Sequence, residues 1–151
     1  MNSLPELRRL VDFSAFRQQR HEQVLRRTQA QLQALLGQGS SLDDHLASLH
    51  NLLASHRVQD CMMDRAQLQT LLRRQAVIRR QIQEVRLARE HLEQQCLDIQ
   101  RVLDEQLDQR RQLQRKHDKY LRYARQLWRG RRLENGRREE REVEDMHGGR
   151  R

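Results

Sequence analysis

Leu71, Ile78, Val85, Leu92, Ile99, Gln106, Leu113, Tyr120 and Leu127 stand seven residues apart, and only Gln106 breaks the apolar and aromatic series. A seven-residue repeat held that long keeps one helical face turned towards a partner helix at 3.5 residues per turn, the seam of a left-handed coiled coil. A second row, residues 68, 75, 82, 89, 96, 103, 110, 117 and 124, reads Leu, Gln, Ile, Arg, Cys, Leu, Arg, His and Ala. The polar members Gln75, Arg89, Arg110 and His117 weaken that side, so the pairing expected is loose and bendable.

Composition agrees with a purely helical chain. Among 151 residues there are one proline and six glycines, with 36% hydrophobic against 34% charged residues, too little apolar material for a compact core of ordinary size. Gln, Arg, Leu, Glu and Ala favour helix, and β-branched residues are few. The fold class expected is all-α: an elongated antiparallel two-helix coiled-coil hairpin whose second helix is much longer than its first.

Ser3 and Glu6 form a capping pattern with Pro5 in the first turn, which predicts a helix over 4–36. Its apolar stripe runs through Leu7, Val11, Val24, Leu25, Thr28, Leu32, Leu35 and Leu36, interrupted by Ser14, Arg17, Gln18 and His21. Phe13 and Phe16 lie in the interrupted stretch, where a partner could use them. Gly37-Gln38-Gly39-Ser40-Ser41 reads as a break at 37–41, and Ser41 with Asp44 as a new cap opening a helix over 42–56. The hairpin tip is expected at about 55–61, in Ser55-His56-Arg57-Val58-Gln59-Asp60, with 37–41 the alternative position. A long helix over 62–133, a frayed charged tail over 134–147 and disorder at 148–151 complete a single hairpin over 1–147.

The formal charge is +9, and Lys116 and Lys119 are the only lysines. Such a surface attracts anions of any kind, whether nucleic acid, acidic lipid or an acidic protein pore. From Arg115 to Arg132 eight Arg or Lys face one acid, Asp118, with Tyr120, Tyr123 and Trp128 interleaved. Bases could stack there, but Tyr120 belongs to the seam and no zinc-finger spacing, RNP pattern or basic region before a zipper is present. His45, His50 and His56 lack the i, i+4 spacing of helical metal ligands, and Cys61 and Cys96 form no Cys-x-x-Cys pair. Neither a metal, nor a cofactor, nor a small-molecule substrate is expected, and carboxylates without a concave apolar pocket do not make an enzyme. No segment reaches the roughly 20 apolar residues of a membrane span, and the N-terminus lacks signal-peptide regions. The expected location is cytoplasmic.

Arg110, Leu113, Lys116, Lys119 and Tyr120, followed by Arg122, Arg125 and the mixed run Arg137, Arg138, Glu139, Glu140, Arg141, Glu142 and Glu144, give the chain a C-terminal pattern. Together with a shorter N-terminal helix, that pattern resembles the stalk proteins of bacterial type III secretion, the HrpO/YscO proteins of injectisomes and their flagellar counterpart FliJ. An Arg-rich, Lys-poor chain suits an HrpO-like, plant-associated member. The resemblance implies an antiparallel helix pair similar to the γ-subunit shaft of rotary ATPases, seated in the pore of the hexameric secretion ATPase and peripheral to the inner-membrane apparatus. It would activate the ATPase, couple it to the export gate and, in some members, bind export chaperones.

By the same resemblance, Arg8, Arg9, Lys116, Lys119, Arg122 and Arg125 would meet the ATPase, and Leu68, Leu71 and Leu72 would lie towards the gate. The Gly37–Ser41 stretch and Gly130 and Gly136 depart from the family pattern. Two other classes stay open: a basic nucleic-acid-binding coiled coil, and a generic homodimeric scaffold whose seam pairs between chains.

Overall fold

The computed structural model describes residues 3–57 and 62–149. They form two helices, α1 (Leu4–Ser55) and α2 (Arg65–Gly148), with no strand among the described residues. The helices pack as a hairpin, and the second is the longer. Two compact units divide the chain: unit 1 comprises Met1–Leu25 and Glu105–Arg151, and unit 2 comprises Arg26–Asp104. Within each unit α1 and α2 run antiparallel, with contacts joining rising numbers on one helix to falling numbers on the other.

Side chains cap the start of α1 and both ends of the connection that follows it. The Glu6 amide donates to Ser3 Oγ at 3.4 Å, which starts α1 at the expected place. At its other end, His56 Nδ1 donates to the Leu52 carbonyl at 2.8 Å, Ser55 Oγ donates to the same carbonyl at 2.7 Å, and the His56 and Arg57 amides close back onto Leu53 and Ala54. These bonds satisfy carbonyls that a helix end leaves open, so α1 stops without a glycine or proline. α2 opens on a full capping box: the Gln67 amide donates to Asp64 Oδ1 at 2.7 Å, and the Asp64 amide donates back to Gln67 Oε1 at 3.3 Å. The connection therefore falls after Ser55 and before Arg65. Residues 58–61 of the expected tip lie outside the described residues.

The expected break at 37–41 is absent, because α1 is helical throughout that stretch. No glycine there takes a positive φ. A glycine costs a helix about 1 kcal/mol relative to alanine, which packing along an unbroken seam offsets. That seam has two rows, Leu4, Val11, Gln18, Leu25, Leu32, Gly39, Leu46, Leu53 and Leu7, Ser14, His21, Thr28, Leu35, Leu42, Leu49, His56, every member buried or half-buried. Their sevenfold phase passes through 37–41 without a slip. Gly39 is itself buried, and the space above it is occupied by Leu92 and the Arg89 guanidinium, so the small residue admits a long cross-chain arginine. Val24 and Leu36, expected on the buried stripe, are instead exposed.

α2 likewise differs from expectation at both ends. It begins at Arg65 rather than 62, where the Asp64 cap directs it, and it continues through 134–147 to Gly148. The tail is rich in strong helix formers, and Gly130 and Gly136 replace side chains that would point into open space. Gly149 forms a turn, and 150–151 lie outside the described residues.

The apolar core of unit 2 is a cluster of Leu49, Ile78 and Ile82, with Leu46, Leu53 and Val85 packed against it. Of the sequence row on α2, Ile78 and Leu92 are buried, while Leu71, Val85, Ile99, Leu113, Tyr120 and Leu127 are half-buried. The polar seam positions are matched across the pair. In unit 2, Gln75 Nε2 donates to the His56 carbonyl at 2.6 Å, and Arg89 grips Asp43 through two bonds of 2.8 and 3.3 Å. In unit 1, Ser14 Oγ meets His117 Nδ1 at 2.6 Å, His21 Nε2 donates to the Gln106 carbonyl at 2.6 Å, and Arg110 reaches Glu22 at 3.5 Å. Polar seam pairs of this kind fix register, because a slip would leave buried donors and acceptors unmatched.

Gln106 is the exception. Its side-chain oxygen is buried without a hydrogen-bond partner. A buried acceptor left unpaired costs about 1–3 kcal/mol, whereas leucine would complete the apolar row. Gln106→Leu is therefore expected to raise the midpoint of chemical denaturation followed by circular dichroism; a lowered midpoint would show that the amide holds the helices together.

Candidate protein interface

Unit 1 concentrates the charge. It carries nineteen Lys or Arg against twelve Asp or Glu, whereas unit 2 carries eleven against nine. On α2 the half-buried positions 113, 117, 120, 121, 124 and 127 turn inward, which leaves Lys116, Lys119, Arg122 and Arg125 exposed. Arg8 and Arg9 are likewise exposed on α1, on either side of no seam position of their own but directly after buried Leu7. The six cations named from sequence thus all lie in unit 1 and all face solvent. None has an ion pair among the described residues.

Sequence reasoning did not reveal the groove beside these cations. Phe13, Phe16, Arg17 and Arg20 of α1 face Leu113 and Lys116 of α2 across an open channel. Phe13 and Phe16 are the only phenylalanines of the chain, and they are 58% and 57% exposed. The Arg17 guanidinium lies 5.8 Å from the centre of the Phe13 ring, and Arg132 lies 4.4 Å from that of Trp128. Such stacking keeps a cation over an aromatic face while its N–H groups stay available to carboxylates. The two phenylalanines are visible in the sequence, but the channel needs Leu113 and Lys116 from the other helix.

Leu68, Leu71 and Leu72 lie in the first turns of α2, in unit 2. Leu68 and Leu72 are 39% and 50% exposed, and Leu71 is half-buried and lines a shallow hollow with Met62, Met63 and Arg74. The turns over 62–70 are exposed throughout. The three leucines lie in a different unit from the six cations above.

No group of three or more His, Cys, Asp or Glu among the described residues is placed to hold a metal ion. Cys96 is a free, half-buried thiol on the seam. Among the described residues the clearly shifted group is Arg89, which the hydrogen bond from its guanidinium to Asp43 holds above its usual value while desolvation partly opposes it. That arginine joins the two helices at a structural contact. No described helix is long and apolar enough to cross a membrane.

An antiparallel helix pair with polar contacts along its seam and exposed cations defines a helical-hairpin protein. The chain belongs to the family described as Salmonella surface presentation of antigen gene type M protein, whose model matches residues 5–147. This is a structural and regulatory family associated with type III secretion. No curated protein and no solved structure matches the chain.

Proposed function

We propose that this chain is a central-stalk component of a type III secretion system, of the HrpO/YscO kind, that binds and activates the hexameric secretion ATPase and couples it to the export gate. The observation that carries the reading is the row of unpaired cations, Lys116, Lys119, Arg122 and Arg125, on the exposed face of α2 within a chain of a secretion family. Six similar acidic loops around a ring could share such a face, since long, solvated cations need no single tight register. Arg8 and Arg9 are exposed in the same unit and add to its excess of positive charge. Leu68, Leu71 and Leu72 in unit 2 supply a second, chemically different surface for the export gate. Export chaperones are further partners in this reading, and its site of action is the cytoplasmic face of the inner-membrane apparatus.

Added to its cognate ATPase at low salt, the chain is expected to raise hydrolysis and to shift the enzyme towards hexamers. Reversing Lys116, Lys119 and Arg122 to glutamate should weaken the effect by roughly tenfold or more, since each rim charge contributes on the order of 1 kcal/mol before screening. Unchanged hydrolysis and size distribution with the natural chain would refute the proposal. A gel shift with DNA or RNA that collapses steeply with salt would favour the nucleic-acid reading instead.

A further inference from the structure

We propose that the channel of unit 1 is a docking groove for an acidic, amphipathic helix of a partner protein. Lys116 belongs both to this channel and to the cationic row of the ATPase reading, so the inference is tested through Phe13, Phe16, Arg17 and Arg20, which that reading does not use. The floor is apolar: both phenylalanines, more than half exposed, stand beside Leu113. The rim is cationic through Arg17, Arg20 and Lys116, none of which has an ion pair among the described residues, and no Asp or Glu lines the channel. Glu22, next to His21 of the lining, is engaged by Arg110 at 3.5 Å, and Asp12, next to Phe13, is exposed and lies outside the lining.

The shape selects a helix. Along α1 the lining residues step by three or four, from Phe13 through Phe16, Arg17 and Arg20, and α2 answers with Leu113 and Lys116, three residues apart. A trough between two antiparallel helices, about three turns long, seats a third helix through i, i+3, i+4 and i+7 anchors. The charge selects its sign. Leucine-type residues would cover the phenylalanine rings, and flanking carboxylates would meet the arginine forks, which suit bidentate pairing. A second copy of this chain is a poor occupant, because unit 1 has nineteen cations against twelve acids and would face its own excess of positive charge.

The test uses the full chain and a dye-labelled synthetic peptide with leucines on one helical face and glutamates on the other. Controls are a scrambled peptide of the same composition and a version with lysine for glutamate. Fluorescence anisotropy is expected to show saturable binding of the first peptide alone. The affinity should fall at least tenfold for Phe13→Ala with Phe16→Ala, and separately for Arg17→Glu with Arg20→Glu. All four positions are exposed, and circular dichroism verifies that each variant keeps its helix content. Equal binding of the three peptides, no binding, or indifference to both double substitutions would overturn the proposal. So would a dimer in sedimentation velocity that dissociates on Phe13→Ala with Phe16→Ala, which assigns the groove to a second copy. Binding of phosphatidylserine vesicles, but not of the peptide, through the same residues would assign it to a membrane surface and equally overturn it.

Discussion

Leu25→Ala is expected to lower the unfolding free energy by about 2–4 kcal/mol, the range for removing a fully buried leucine side chain from a packed interior. At 2% exposure Leu25 is the most completely buried large side chain among the described residues. A two-helix seam has little neighbouring material with which to fill the space, so relaxation recovers little of the lost contact. Urea denaturation followed at 222 nm measures the change directly. Leu36→Ala is the internal control, since Leu36 is half exposed and its loss should change stability by less than about 0.5 kcal/mol. Equal effects at the two positions would mean that the seam rows are wrongly phased.

Gln38→Pro is expected to be the second severe substitution. Gln38 is exposed, so its side chain is dispensable, but it sits in the interior of α1 between Gly37 and Gly39. Proline there removes a helical hydrogen bond and clashes with the preceding turn, a cost of about 3 kcal/mol or more. Were 37–41 a loop between two helices, the same proline would be nearly silent. Thermal melting of Gln38→Pro beside Gln38→Ala separates the two cases, because only an unbroken α1 makes the proline variant melt far below the alanine one.

The helix pair was legible mainly from α2. Its row from Leu71 to Leu127 is apolar enough to declare a seam, whereas α1 carries Ser14, Gln18, His21, Thr28 and Gly39 at positions of the same kind. Judged alone, those residues interrupt a stripe. Judged against α2, Ser14 answers His117, His21 the Gln106 carbonyl and Gly39 the Arg89 side chain, and a pattern of matched residues on separate helices is invisible to periodicity on one helix. The glycines misled for a related reason: Gly39 is a space left for Arg89 rather than a freed backbone. The start of α2 is legible in the sequence, since Asp64 and Gln67 stand at capping-box spacing.

The surfaces were legible only in part. The family resemblance, rather than charge or periodicity, pointed to Lys116, Lys119, Arg122 and Arg125 and to Leu68, Leu71 and Leu72. Phe13 and Phe16 were noticeable as aromatics in a polar stretch. What could not be read was that Leu113 and Lys116, about a hundred residues away in sequence, complete a groove with them. Contacts between helices depend on register, and register here depends on the polar pairs.

The stalk reading makes a claim about number as well as affinity, since a ring of six subunits has one central axis. Native mass spectrometry of the cognate secretion ATPase assembled with this chain and a nucleotide analogue tests it most directly. The expected species is a complex of six ATPase subunits with one copy of the chain. Six copies on six subunits, or a hexamer that retains none, would contradict it.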